Sequence, residues 1–190
     1  TRNRCTIVDL GNYDTYSTIR NAMQAAGIEK IDNVIITHWH GDHSGQHYQT
    51  DVSRGYDHWK ADFDMTETVF WICNMPTAFD DGSADYLYQS FPNNTINVIT
   101  DNGHKFDWYG TSWSVYNASE ADFNYYDNNT NDYNAYSMIV YCEYGNTRIC
   151  NTGDINDVAQ RRAIDQGYVF KSDIMTIPHH GVNSAGVGEF

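Results

Sequence analysis

The stretch Thr37-His38-Trp39-His40-Gly41-Asp42-His43 gathers three histidines and an aspartate within six residues, directly after a short apolar run. Neutral imidazoles and a carboxylate are the donors that suit zinc and other borderline first-row cations. Alternate residues at a strand end point the same way, so His38 and His40 can share one ion. Asp42 and His43, on the following turn, are placed to hold a second. Two later clusters have the composition to complete such a centre. Asn151-Thr152-Gly153-Asp154 closes a strand-like run, and Asp154 can bridge two cations. Pro178-His179-His180-Gly181 closes another, with His179 as a ligand of the second ion. With His179 so used, His180 is left to donate a proton or to contact substrate.

Strands must deliver these clusters. Cys5 to Leu10 reads as a buried strand ending in Asp9-Leu10-Gly11. Thr15 to Ala26 reads as a helix with Ile19, Ala22, Met23 and Ala26 on one face, closed by Gly27. Asn33 to Thr37 is a second short strand, and the polar loop His38 to His47 opens a further helix. Thr68 to Cys73 is a third strand, followed by a loop containing Pro76, Asp80, Asp81 and Gly82. Ile96 to Thr100, His104 to Tyr109 and Trp113 to Asn117 read as three more strands. Glu120 to Asn134 is acidic and rich in Asn and Tyr, the composition of a surface loop. Tyr136 to Tyr144 and Asn146 to Asn151 form a hairpin turning at Gly145-Asn146. Asp157 to Gln166 is a helix ended by Gly167, and Asp173 to Ile177 is a last buried strand. Strands and helices in two groups predict a mixed α/β sandwich, one domain over residues 1–190. Its polar clusters fall at strand ends, where α/β proteins carry their chemistry.

Composition narrows the function classes. Eleven Lys and Arg against 25 Asp and Glu leave a net charge of −14 over 190 residues, which disfavours a sequence-independent grip on nucleic acid. A hydrophobic share of 41% and an aromatic share of 15% exclude a disordered acidic tail. No apolar run reaches the roughly 18 residues of a membrane span. Thr1 to Arg4 carry neither an initiator Met nor a signal-peptide apolar core, which points to a processed chain or part of a longer one. Cys5, Cys73, Cys142 and Cys150 show no metal-binding spacing and read as buried thiols. A three-residue hairpin loop would set Cys142 opposite Cys150 and permit a disulfide. Glycosylation sequons begin at Asn93, Asn117 and Asn128 and carry little weight in a chain this rich in Asn. Trp39, Tyr48, Tyr125, Tyr126 and Tyr133 are candidates to stack on a sugar, a base or a choline group.

The motifs resemble those of the metallo-β-lactamase superfamily, whose signature is HxHxDH after a strand. The resemblance runs from Asp9-Leu10-Gly11, similar to the family's buried Asp before Gly, to Gly181. Within the superfamily the chain looks most like the branch of competence-type DNA-uptake channel domains and teichoic-acid phosphorylcholine esterases. That branch carries Asn-x-x-Ser before a hairpin, then Thr-Gly-Asp, then an apolar strand ending in His-His. Here these are Asn134 to Ser137, Thr152-Gly153-Asp154, and Ile174 to Gly181. The resemblance implies a four-layer αββα sandwich. The chain starts at the family's second or third strand and stops soon after His-His-Gly, so the sandwich is expected to be incomplete at both ends. The superfamily often has a further His between the first motif and the bridging Asp. The candidates His47, His58 and His104 do not sit just before the Asn-x-x-Ser element. The first ion is then left with His38, His40 and Asp154, helped by Asn134.

The expected activity is metal-assisted hydrolysis, with two zinc ions, or manganese, acidifying a water toward neutral pH. Asp42 would orient that water as well as bind metal. Branch resemblance favours a phosphodiester substrate, in nucleic acid or in a choline-bearing wall polymer, and an extracellular or cell-surface setting. The alternatives are acyl, lactone or thioester hydrolysis on the same core, and a non-catalytic metal-stabilised module of a larger surface or viral assembly.

Overall fold

The computed structural model describes residues 3–45, 56–74, 83–168 and 171–182. His47 and Tyr48, and the expected loop from Pro76 to Gly82, lie outside the described residues. The chain folds as two compact units, residues 1–72 with 76–98, and residues 73–75 with 99–190. A mixed α/β architecture of two sheets and helices is what was expected and what is observed.

In the first unit β1 (Thr6–Val8), β2 (Asn33–Ile36), β3 (Val69–Cys73) and β4 (Ile96–Ile99) lie side by side in that order. β1, β2 and β3 are parallel, with Ile7 opposite Val34 and Val34 opposite Phe70. Parallel neighbours need crossovers. Helix α1 (Tyr13–Ala25) makes the first, and α2 (Gly41–Ser44) and α3 (Asp57–Asp62) lie between β2 and β3. All four residues of β2 are buried, as befits an inner strand of a parallel sheet. α1 begins two residues earlier than expected because Asn12 caps it: its side chain accepts from the Thr15 amide, and the Thr15 hydroxyl accepts from the Asn12 amide. Its apolar face is shallower than predicted. Tyr16 is buried and Ile19 and Met23 are half-buried, but Ala22 and Ala26 are exposed. Helix α3 and helix α4 (Ser83–Ser90) were not anticipated.

In the second unit β5 (His104–Trp108), β6 (Thr111–Tyr116), β7 (Ile139–Tyr144), β8 (Thr147–Asn151) and β9 (Ile174–Met175) form one sheet in sequence order. It is antiparallel up to β8, which β9 joins in parallel. The β7–β8 hairpin turns at Gly145-Asn146 as expected, but Tyr144 pairs with Thr147, so the loop has two residues. Cys142 therefore faces Ile149 and Cys150 faces Tyr141, on opposite faces of the sheet, and the two are not joined to each other.

Two expectations fail here. Glu120–Asn129 is a helix, α5, rather than a surface loop. Ser119 caps it by accepting from the Asp122 amide, and Asp122, Phe123 and Tyr126 anchor it below the surface. The last strand is not buried. β9 has two residues, and Ile174 and Ile177 are 57% and 71% exposed. The connection from β8 to the parallel β9 carries helix α6 (Asp157–Asp165), which starts on an Asn156 cap and ends before Gly167, close to its expected span.

Candidate metal centre

The predicted ligands fall into two sets, one in each unit. In the first, β2 stops at Ile36 and the chain passes through Thr37, His38 and His40 into the short α2. His38 is fully buried, His43 nearly so, and the Asp42 side chain is almost half exposed. The His38 ring lies 4.7 Å from that of His40 and 4.2 Å from that of His43, centroid to centroid. The Asp42 carboxylate comes within 3.9 Å of His43 Nε2. Rings this close repel one another if protonated and share a cation readily when neutral.

Asp9, at the end of β1, organises this set. Its backbone sits in the left-handed region at φ 60°, a conformation Asp tolerates better than most residues. One carboxylate oxygen accepts the Thr37 amide at 2.8 Å. The other accepts the Thr37 hydroxyl at 2.8 Å and lies 2.8 Å from His43 Nδ1. With Nδ1–H donated to Asp9, the His43 lone pair is left on Nε2, the nitrogen beside Asp42. The Leu10 amide donates to the His43 carbonyl, so the strand end and α2 are also joined through backbone. Gly45, at φ 84°, ends α2 against Leu10, whose Cβ would lie 2.6 Å from any Cβ at that position.

In the second unit Asp154 follows β8 and is 3% exposed. Its amide donates to Ser137 Oγ at 3.1 Å, and its carboxylate lies 3.3 Å from His180 Nε2. Thr152 bonds Thr176 through its amide and its hydroxyl, which ties the end of β8 to the segment carrying the histidines. His179 and His180 occupy a tight 3-10 turn, Pro178–Gly181, both with positive φ. The imidazole beside Asp154 is thus that of His180, while His179 Nε2 meets Asn134 Nδ2 at 3.2 Å.

The other candidates are accounted for differently. His58 packs its ring edge-on to Tyr13 and Tyr16, and His104 opens β5 opposite Val115. Of the stacking candidates, Trp39 and Tyr126 are 3% and 0% exposed and offer no ring face to a substrate. The Tyr125 ring is covered by the Arg162 guanidinium at 4.6 Å, whereas Tyr133 is exposed. Sequence reasoning missed Thr37 as a partner of Asp9, and missed what Asn134 and Ser137 hold. The Asn-x-x-Ser spacing was the available signal for the latter pair.

The family model of the metallo-beta-lactamase superfamily matches residues 1–51, which include the whole histidine motif. No curated protein matches the chain. Among solved structures it resembles the MIM-2 metallo-beta-lactamase, with TM-score 0.56 and 10% identity over 92% of this chain and 65% of that one. It also resembles the metallo-beta-lactamase GOB-18 from Elizabethkingia meningoseptica, with TM-score 0.52, 12% identity, 90% of this chain and 65% of that one. A HARLDQ-motif mutant metallo-beta-lactamase from Cronobacter sakazakii gives TM-score 0.51, 14% identity, 90% and 67%. The fold is that of the metallo-beta-lactamases. The chain spans about half to two thirds of the length of the structures it resembles.

Proposed function

We propose that the chain is a metal-dependent hydrolase with a dinuclear zinc centre, its ligands being those that the sequence motifs name. His38 and His40 would hold one ion and Asp42, His43 and His179 the other, with Asp154 shared between them. The observation that carries this reading is the His38, His40 and His43 cluster, with Asp9 setting the tautomer of His43. Three imidazoles turned ring to ring, two of them buried and one presenting a lone pair through its carboxylate partner, fit a cation better than any apolar packing role. Zinc or manganese bound there supplies Lewis acidity and a water acidified toward neutral pH.

The chain's own groups then divide the work. Asp9 fixes His43, and Asp42, exposed on one side, orients the attacking water and takes up its proton. His180, beside Asp154 and 57% exposed on its side chain, is available to protonate the leaving group. The substrate class we favour is a phosphodiester. The Asn134 to Ser137, Thr152-Gly153-Asp154 and His179-His180 elements support it by their likeness to the phosphodiester-cleaving branch. The net charge of −14 favours a compact or neutral-headed ester over a long polyanion track. Acyl-group hydrolysis on the same core is the second reading.

The experiment is hydrolysis of bis(p-nitrophenyl) phosphate with zinc or manganese, wild type beside Asp42→Ala. Turnover by the wild type that falls at least 100-fold in the variant is the expected result. A wild type that binds two equivalents of zinc and leaves the phosphodiester intact, while cleaving a lactone or thioester, overturns the substrate class.

A further inference from the structure

The Asn-x-x-Ser element forms a single 3-10 turn, Tyr133–Tyr136, closed by Ser137. Its first and last members each touch a group of the second ligand set. Asn134 Nδ2 lies 3.2 Å from His179 Nε2, and Ser137 Oγ accepts the Asp154 amide at 3.1 Å. The turn itself is pinned on its far side. Asn117, 1% exposed, donates both amide hydrogens, to the carbonyls of Ala135 at 2.8 Å and Ser137 at 2.7 Å. The Tyr126 hydroxyl in turn donates to Asn117 Oδ1. Asp132 accepts the Asn134 amide at 3.0 Å and the Asn156 side-chain amide at 3.1 Å.

Two polar atoms in this tightly bonded turn are left over. His179 Nδ1 and Asn134 Oδ1 are buried, and neither has a hydrogen-bond partner among the described residues. Buried polar groups without partners are rare enough to need a reason. The two nitrogens of an imidazole are chemically distinct, and the partner of one decides what the other does. Whichever way the Asn134 carboxamide is turned, the nitrogen it occupies is Nε2. With Oδ1 turned to accept from Nε2–H, the orientation that leaves a lone pair for a cation, the open nitrogen is Nδ1.

We propose that Asn134 and Ser137 are positioning residues for the second ligand set, an inference that rests on the metal-centre reading above. Asn134 occupies Nε2 of His179 and makes Nδ1 its working nitrogen. Ser137 fixes the backbone from which the Asp154 carboxylate projects. The spacing of Asn-x-x-Ser is then the distance along one turn that brings both effects to bear at once.

The test uses protein labelled with nitrogen-15 at histidine, first free of cations and then with zinc. In the cation-free protein Asn134→Ala moves the Nε2 resonance of His179 and leaves those of His38 and His40 in place. Ser137→Ala speeds amide exchange at Asp154 about tenfold, the loss of one buried hydrogen bond. Zinc added to the wild type moves Nδ1 of His179 and spares Nε2. Asn134→Ala weakens zinc binding by about 10–100-fold in competition with a chromophoric chelator, the usual effect of removing a residue that orients a ligand. Circular dichroism checks that the variants fold, and Asn134→Asp supplies the same comparison if the alanine variant does not. Ring-nitrogen resonances of His179 that ignore Asn134→Ala, or zinc that moves Nε2 in the wild type, overturn the proposal. A wild type that binds no zinc overturns the metal-centre reading instead, and the cation-free spectra still decide the Asn134 contact.

Discussion

His43 Nδ1 lies 2.8 Å from the carboxylate of Asp9, a contact that links the end of one strand to the turn after its neighbour across 34 residues of chain. The same carboxylate takes two hydrogen bonds from Thr37, so one side chain fixes both the entry to the histidine motif and its last member. Asp9→Asn keeps the size of the side chain and its tolerance of a positive φ. It loses the charge and offers an amide N–H where His43 needs an acceptor. Zinc affinity should fall about 10–100-fold, with a smaller loss of folding stability. Chelator competition measures the first and urea unfolding the second. Unchanged affinity would remove Asp9 from the site.

Asp122 is a carboxylate with no exposed surface, and its charge is held by its neighbours. Burial alone would raise its pKa, but hydrogen bonds from Ser119, Asn102, Gln166 and Arg162 outweigh burial and bring it below the ordinary aspartate value of 3.8. A pKa lower in the folded than in the unfolded chain adds stability above the unfolded value, and that stability is lost as pH falls through the folded one. Wild type should lose stability on acidification below about pH 4 more steeply than Asp122→Asn. At neutral pH the Asn variant should be less stable by about 3–5 kcal/mol, because Arg162 is left without its counter-charge. Thermal melts from pH 3 to 7 compare the two.

Gly45→Ala should be costly for two independent reasons. The residue holds φ at 84°, and a Cβ there would meet Leu10 Cβ at 2.6 Å. A loss of about 2 kcal/mol or more is expected from strain and overlap together. Because Gly45 ends the helix that carries Asp42 and His43, zinc affinity should fall with stability. A variant as stable as wild type would show that Leu10 can yield.

The three glycosylation sequons are not equivalent. Asn93 and Asn128 are exposed, whereas Asn117 is 1% exposed and spends both amide hydrogens on backbone carbonyls. Expressed through a eukaryotic secretory route, the folded protein should carry no glycan at Asn117. Peptide mass spectrometry reads the three sites separately, and occupancy at Asn117 would contradict its burial.

Thiol chemistry gives a further check. Burial pushes the Cys5 and Cys150 thiols up to about 11, so few thiolates are present at neutral pH. Native protein should react slowly with a thiol reagent at these two residues and fully once unfolded. Its mass should be the same before and after reduction. A two-unit mass gain on reduction would mean a disulfide, and the β7–β8 register excludes Cys142 with Cys150 as the pair.

Much of this fold was legible in the sequence because strands advertise themselves. β2 and β3 are short β-branched and aromatic runs, and the Gly145-Asn146 turn fixed where its hairpin reverses. Helix α5 was not legible. Its surface is Asp, Asn and Tyr, and its inward face consists of Asp122, Phe123 and Tyr126, whose burial depends on partners such as Arg162, 40 residues away. The histidine motif could be read because its candidate ligands are local. The contact of Asn134 with His179 spans 45 residues, and no local pattern encodes it. Exposure of β9 was misread because Ile174, Met175 and Ile177 are apolar, and apolar composition alone does not say which strand has a covering layer.

His179 and His180 hold φ at 46° and 54°, consecutive residues in a region that glycine enters without penalty. An L-residue there gives up about 1–2 kcal/mol, so the pair forgoes stability at each position. Backbone preference alone would have written Gly-Gly into this bend. Stability screens that ignore chemistry should therefore select glycine here, and the variants they prize would be the ones stripped of both imidazoles.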